Sequence, residues 1–157
     1  MTKSERMEIV DIEKDPDFQD FLNSNRKGIF CVPESSTNDN LLMADTFRFA
    51  KWVKQNEDKV EINVCKGDGY NDLRSSDIWL PLVYLASDIS LPIYLSIVAN
   101  YLYDYTRGAL RHDEATVHLE AIYLDKKKNK LKKFTYSGPQ KGLEKTVKKF
   151  DLNKFMQ

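Results

Sequence analysis

Apolar and polar residues alternate along several short segments, as expected of strands with one buried face. The pattern occurs in "VEINV" (60–64) and in "ATVHLEAIYLD" (115–125), where side chains at alternate positions are apolar. Met7–Ile12 also predicts a short strand. A short apolar run closed by proline, "GIFCVP" (28–33), also favours a strand. The segment "LKKFTYSG" (131–138) would pair with 115–125 as an antiparallel hairpin.

Other segments repeat apolar residues at helical spacing. "DPDFQDFLNSN" (15–25) predicts a short helix with Asp15 as its N-cap and proline in the first turn. Residues 41–54 predict a helix of three or four turns, and "GPQKGLEKTVKKF" (138–150) predicts an amphipathic closing helix with lysines on its outer face.

The segment Ile78–Tyr103 is apolar almost throughout, with Asp88 near its centre. A membrane hairpin is one interpretation, but each apolar half is shorter than the roughly 20 residues that a spanning helix needs, and a carboxylate at the midpoint is unfavourable in lipid. We therefore predict two consecutive buried helices broken at 88–90, with Asp88 or Ser90 capping the second.

The predicted element order is β-α-β-α-β-α-α-β-β-α within one α+β domain, residues 1–157. A βαβα part (1–58) precedes a β-αα-β-β-α core (59–157). This order predicts a ferredoxin-like sandwich, with a mixed or antiparallel sheet and helices mainly on one face. The chain would end in a β-hairpin followed by an amphipathic helix.

Charge is unevenly distributed although the formal net charge is zero. Residues 1–77 hold 16 acids against 11 bases, whereas residues 125–157 hold 3 against 11. Such polarity can orient the molecule toward a charged partner or a second copy. Cys31 and Cys65 are too few for a disulfide framework, and the N-terminus has no apolar signal region, so we expect reduced thiols and a cytoplasmic protein.

The segment "INVCKGDGYND" (62–72) resembles the magnesium-binding loop of haloacid-dehalogenase-like phosphatases, with Asp68 and Asp72 in the acidic positions. That family also requires two aspartates two residues apart on an early strand, and the nearest counterpart is Asp11 followed by Glu13. Metal-dependent phosphoryl transfer therefore stays an alternative. A glycine-rich loop between a strand and a helix explains the segment equally simply.

Other catalytic and cofactor patterns are missing from the sequence. His112 and His118 have no metal ligands at recognised spacing. The sequence contains neither a G-x-S-x-G elbow nor a nucleotide-binding glycine motif. We therefore expect no cofactor, and histidines that are packed or exposed.

Lysines are concentrated in the last third of the chain. Those of the hairpin tip and the closing helix could form a phosphate-binding face for nucleic acid, although a solvated surface accounts for them as well. The candidate residues are Lys126, Lys127, Lys128, Lys130, Lys145, Lys148 and Lys149.

Tyrosines near the end of the apolar stretch offer a different candidate, a protein interface, because tyrosine supplies rigid amphipathic contact area. The candidate interface residues are Tyr94, Tyr101, Tyr103 and Tyr105.

The layout from Leu80 to Phe155, with "SGPQKGLEKTVKKF" (137–150), resembles the effector-associated constant components of bacterial conflict and defence systems. The resemblance implies an accessory or adaptor role and carries no catalytic residues. The sequence thus predicts a non-enzymatic protein that acts through a protein partner or as a homo-oligomer.

Overall fold

A computed structural model describes residues 6–12, 16–23, 27–33, 42–43, 45–65, 70–71, 77–106 and 116–155. In these residues eight strands and four helices form a mixed α+β structure. The strands are β1 (Arg6–Ile12), β2 (Ile29–Val32), β3 (Leu42–Met43), β4 (Ile62–Val64), β5 (Tyr70–Asn71), β6 (Ile78–Leu85), β7 (Thr116–Asp125) and β8 (Lys130–Pro139). The helices are α1 (Pro16–Asn23), α2 (Thr46–Asn56), α3 (Leu91–Thr106) and α4 (Gln140–Phe155).

Six strands form one mixed sheet in the order β1-β8-β7-β6-β2-β4. The predicted hairpin is confirmed, since β7 and β8 pair antiparallel over ten residues. Strands β6 and β7 pair parallel, so α3 is the crossover helix between them, as parallel neighbours require. Strands β3 and β5 form a separate two-stranded sheet.

The large sheet separates two apolar clusters. On one face α2, α3 and α4 bury Phe49, Val53, Tyr94 and Leu143 against alternate residues of the strands. On the other face α1 packs its phenylalanines against the remaining strand positions. Three of the four described helices therefore lie on one face of the sheet, in agreement with the sequence analysis.

The first of the two helices predicted within 78–103 is wrong, because Ile78–Leu85 forms the strand β6. This strand lies between β7 and β2 and is covered on both faces, so its sequence does not alternate. Pro81 fits because the pairing with β7 shifts between Trp79 and Leu82, and proline, which has no N–H, is tolerated at such a bulge. The second helix is confirmed as α3, with Ser90 Oγ accepting a hydrogen bond from the N–H of Ile93 at 3.4 Å.

Two further differences concern the N-terminal part. The helix predicted from Leu41 begins at Thr46, because Leu42 and Met43 form β3 instead. The segment after "GDG" does not lead into a helix, since Tyr70–Asn71 pairs with β3 as β5 and β6 follows.

The α+β class is therefore correct, while the ferredoxin-like sandwich is not confirmed and the main sheet has six strands. Within the part of the chain that the structure describes, no helix is both long and apolar enough to cross a membrane.

Candidate functional site

The four candidate interface tyrosines occupy different environments. Tyr94 and Tyr101 lie in the core, with 0% and 1% of their surface exposed, so neither can contact a partner directly. Tyr103 and Tyr105 are 60% and 40% exposed. Because two residues on a helix are separated by about 200°, these two side chains point to opposite sides of α3.

Tyr105 belongs to a group of side chains that are hydrogen-bonded between α2 and α3. This group, the α2–α3 surface, consists of Arg48, Trp52, Asp104 and Tyr105. The guanidinium of Arg48 donates a hydrogen bond to the Tyr105 hydroxyl at 2.7 Å and lies 4.9 Å from the centre of its ring. The Trp52 indole N–H donates to the Asp104 carboxylate at 2.9 Å. Sequence analysis identified only the tyrosine of this group.

The buried tyrosine Tyr101 supports this surface from below. Its ring stacks on Tyr105 at 5.7 Å and meets Trp52 edge to face at the same distance. It also contacts Phe49 of the core at 5.2 Å. The exposed Tyr105 and the partly buried Trp52 therefore rest on fixed neighbours, which limits the rotation of their rings.

Helix α2 contributes basic charge beside the α2–α3 surface. It carries Arg48, Lys51 and Lys54, all exposed, and has no acidic residue within its bounds. Lys54 follows Trp52 by two positions and therefore points to the opposite side of α2. Asp104 is the acidic member of the surface, and its carboxylate accepts the Trp52 hydrogen bond.

The candidate lysines fall into two groups. Lys126, Lys127, Lys128 and Lys130 are exposed at the turn between β7 and β8. Helix α4 begins directly after Pro139, at the far end of β8 from that turn, and a ten-residue strand spans roughly 30 Å. Lys145 and Lys148 are exposed on this helix, while the side chain of Lys149 lies outside the described residues.

Several lysines of β8 have acidic partners. Lys130 Nζ lies 3.7 Å from the carboxylate Oδ2 of Asp11 in β1, and Lys132 Nζ lies 3.2 Å from Oδ2 of Asp125. The Lys132 hydrogen bond lowers the pKa of the Asp125 carboxyl. These contacts reduce the positive potential available to phosphate, and nucleic-acid binding stays a prediction.

The candidate metal ligands Asp68 and Asp72 lie outside the described residues. Among the residues that are described, no group of three or more His, Cys, Asp and Glu side chains could hold a metal ion. Phosphoryl transfer by this loop therefore stays untested.

A second polar group, which sequence analysis missed, lies on the opposite face of the sheet. His118 of β7 has its Nδ1 3.0 Å from Ser137 Oγ and its Nε2 3.0 Å from the Asp77 carboxylate. The Trp79 ring stacks on the imidazole at 3.8 Å, with 9° between the planes. These four residues are named the His118 cluster below.

The hairpin register could have indicated this cluster. Once a turn is placed at 126–129, pairing Asp125 with Lys130 also pairs His118 with Ser137, and directly opposed residues share a face. Trp79 could not be found in this way, because its segment was predicted as a helix, and Asp77 directly precedes that segment.

Comparisons with protein-family models, with curated proteins and with solved structures find no match to this chain.

Proposed function

We propose that this protein is an accessory or adaptor protein whose α2–α3 surface binds an acidic segment of a partner protein. The observation that carries the proposal is the pair of hydrogen bonds between the helices, from Arg48 to Tyr105 and from Trp52 to Asp104. They hold an arginine, a tryptophan and a tyrosine at the surface in one arrangement.

These residue types dominate the binding energy of measured interfaces. Immobilising a flexible side chain on binding costs about 0.5–1.5 kcal/mol. Arg48 and Trp52 are already held by Tyr105 and Asp104 before a partner arrives, so less of that cost remains. The surface is thus prepared for a partner before binding.

The charge of α2 specifies the chemistry of the partner. Arg48 and Lys51 are exposed on a helix without acidic residues, so a partner segment that carries carboxylates is favoured over a basic or neutral one. The planar guanidinium of Arg48 matches a carboxylate in geometry. Apolar or aromatic side chains in the same segment would pack against Trp52 and Tyr105.

An adaptor role is also what the resemblance of residues 80–155 to effector-associated constant components implies. The resembling segment includes Asp104 and Tyr105 of the α2–α3 surface, whereas Arg48 and Trp52 lie outside it.

The test is a selection of random peptides displayed on phage against the immobilised full chain. The selected peptides are then synthesised and titrated by calorimetry. We expect them to be enriched in Asp, Glu and aromatic residues. Arg48→Ala and Trp52→Phe should each weaken binding about tenfold or more, which corresponds to about 1.4 kcal/mol. Lys141→Ala, at an exposed position of α4, is the matched control and should leave the affinity unchanged.

Two outcomes would contradict the proposal. One is a set of selected peptides without excess negative charge, or whose affinity survives Arg48→Ala. The other is a salt-sensitive gel shift with nucleic acid that Arg48→Ala abolishes, which would assign the surface to phosphate recognition instead.

A further inference from the structure

The His118 cluster has the arrangement of an activated serine. A nucleophilic hydroxyl, Ser137, lies within hydrogen-bond distance of a base, His118, whose other ring nitrogen is bonded to a carboxylate, Asp77. This is the geometric signature of nucleophilic catalysis. We propose that Ser137 is a reactive nucleophile that accepts the acyl group of a small carboxylic ester at this face of the sheet.

The bonding partners determine where the imidazole carries its proton. A carboxylate only accepts hydrogen bonds, so in neutral His118 the proton is on Nε2, which donates to Asp77. Nδ1 then has a lone pair and accepts the hydroxyl proton of Ser137. In the opposite tautomer Nδ1–H would donate to Ser137. The unprotonated Nε2 would then face the Asp77 carboxylate, which has no proton to donate, and two acceptors 3.0 Å apart repel each other.

The reaction proceeds in two balanced steps. In the first, the Oγ of Ser137 forms a bond to the ester carbon while its proton moves to Nδ1 of His118. The bond from carbon to the alkoxide then breaks, and the imidazolium returns the proton to the leaving alcohol. In the second step water attacks the acyl-serine, passes its proton through His118 to the departing Oγ, and releases the carboxylic acid.

Neighbouring strands provide surroundings suited to this chemistry. Trp79, His118, Ser137 and Arg6 are successive partners across β6, β7, β8 and β1, so their side chains share one face of the sheet. Arg6 is exposed and bonded to Glu8 at 2.8 Å. The β1 pairing therefore places this ion pair, rather than a free positive charge, beside Ser137 on the side away from His118.

Trp79 acts on the base rather than on the ester. Its ring covers one side of the imidazole at 3.8 Å, which excludes water from that side and limits rotation of the ring. The side chains of His118 and Asp77 are 23% and 30% exposed, so a small ester is the substrate class proposed for this partly open face.

The test treats the full chain with a fluorophosphonate that carries a fluorophore, followed by intact-mass analysis and peptide mapping. We expect one adduct per chain, located on Ser137 and absent from Ser137→Ala. Asp77→Asn removes the charge that stabilises the imidazolium and allows the other tautomer. It should slow labelling about 100-fold or more, and hydrolysis of p-nitrophenyl acetate should fall in parallel.

Thr135→Ala is the matched control, since Thr135 is the preceding hydroxyl on the same face of β8. Its labelling should equal that of the unmodified chain, and circular dichroism should show that every variant is folded. An absence of adduct, an adduct on another residue, or equal labelling of Asp77→Asn would overturn the proposal. Success here would show the expectation of a non-enzymatic protein to be wrong, while the α2–α3 surface is tested separately.

Discussion

Gly28 shows how one residue fixes the junction of three strands. Its φ is +89°, and a Cβ added there would clash with the carbonyl oxygen of Glu61. Its N–H donates to the Asp88 carboxylate at 2.9 Å, and its carbonyl accepts from Ala86 at 3.0 Å. Sequence analysis included Gly28 in the apolar segment 28–33 that favours a strand, but it could not indicate these contacts.

We expect Gly28→Ala to destabilise the protein by about 2–4 kcal/mol, because it combines a disfavoured φ with a clash against backbone. Urea denaturation followed by circular dichroism measures the change. Ala86→Gly provides a comparison that removes a methyl group at the neighbouring position without a φ conflict. A loss below about 0.5 kcal/mol in Gly28→Ala would show that the junction is less constrained than its geometry indicates.

Asp45 connects α2 to β6. Its carboxylate accepts the N–H of Trp79 at 2.7 Å, and its own N–H donates to the Trp79 carbonyl at 3.1 Å. Burial raises the pKa of this carboxyl, and the Trp79 hydrogen bond opposes the change only in part.

A pH dependence of stability follows from that raised pKa. The folded state holds the Asp45 proton more tightly than the unfolded state. The contribution of this proton to the free energy of unfolding is therefore complete below the unfolded pKa, about 3.9. It is lost as the pH rises through the folded pKa. The free energy of unfolding of the unmodified chain, minus that of Asp45→Asn, should therefore fall as pH increases from about 4 toward 7. Urea denaturation at each pH measures it, and a difference that grows with pH would contradict the assignment.

At the scale of elements, the hairpin of β7 and β8 sets the register on which the His118 cluster depends. Asn129 in its turn has a φ of 51°, a left-handed conformation that asparagine and glycine tolerate far better than β-branched residues.

Asn129→Val should therefore cost about 1–2 kcal/mol, while Asn129→Gly should be neutral or slightly stabilising. Thermal unfolding compares the two variants, with Lys128→Val as a control for added apolar surface in the same turn. Equal stability of Asn129→Val and Asn129→Gly would show that this turn does not constrain the pairing of β7 with β8.

Elements with one solvated face could be predicted from the sequence. The alternating residues of β7 and the helical spacing of Leu143 and Val147 both gave the correct element. Strand β6 could not be predicted, because burial on both faces leaves an apolar run that periodicity does not distinguish from a helix. Pro81 did not distinguish a strand from a helix in the sequence, because the bulge between Trp79 and Leu82 that accommodates it is visible only in the structure.

The candidate sites follow the same logic. Tyr105 could be proposed from composition, but its partner Arg48 is 57 positions away in the chain, and Trp52 lies 52 positions from its partner Asp104. The packing of α2 against α3 brings them together. The core positions of Tyr94 and Tyr101 could not be distinguished from surface positions, because tyrosine occurs in both.

At the scale of the whole molecule, the sheet places the two proposed sites on opposite faces. The α2–α3 surface lies on the face that α2, α3 and α4 cover. His118 alternates with the buried Val117 and Leu119 of β7 and therefore faces the other way. A partner bound at α2 would leave the His118 cluster accessible, so the two proposals can fail independently.

The central claim is that the α2–α3 surface binds an acidic partner segment. Its most direct test is a ¹H–¹⁵N NMR titration of the ¹⁵N-labelled full chain with the tightest acidic peptide from the display selection. The account predicts that shift changes concentrate in α2 and in the last two turns of α3, include the Trp52 indole N–H, and disappear in Arg48→Ala. Shift changes confined to β1, to the 126–129 turn or to α4 would contradict it.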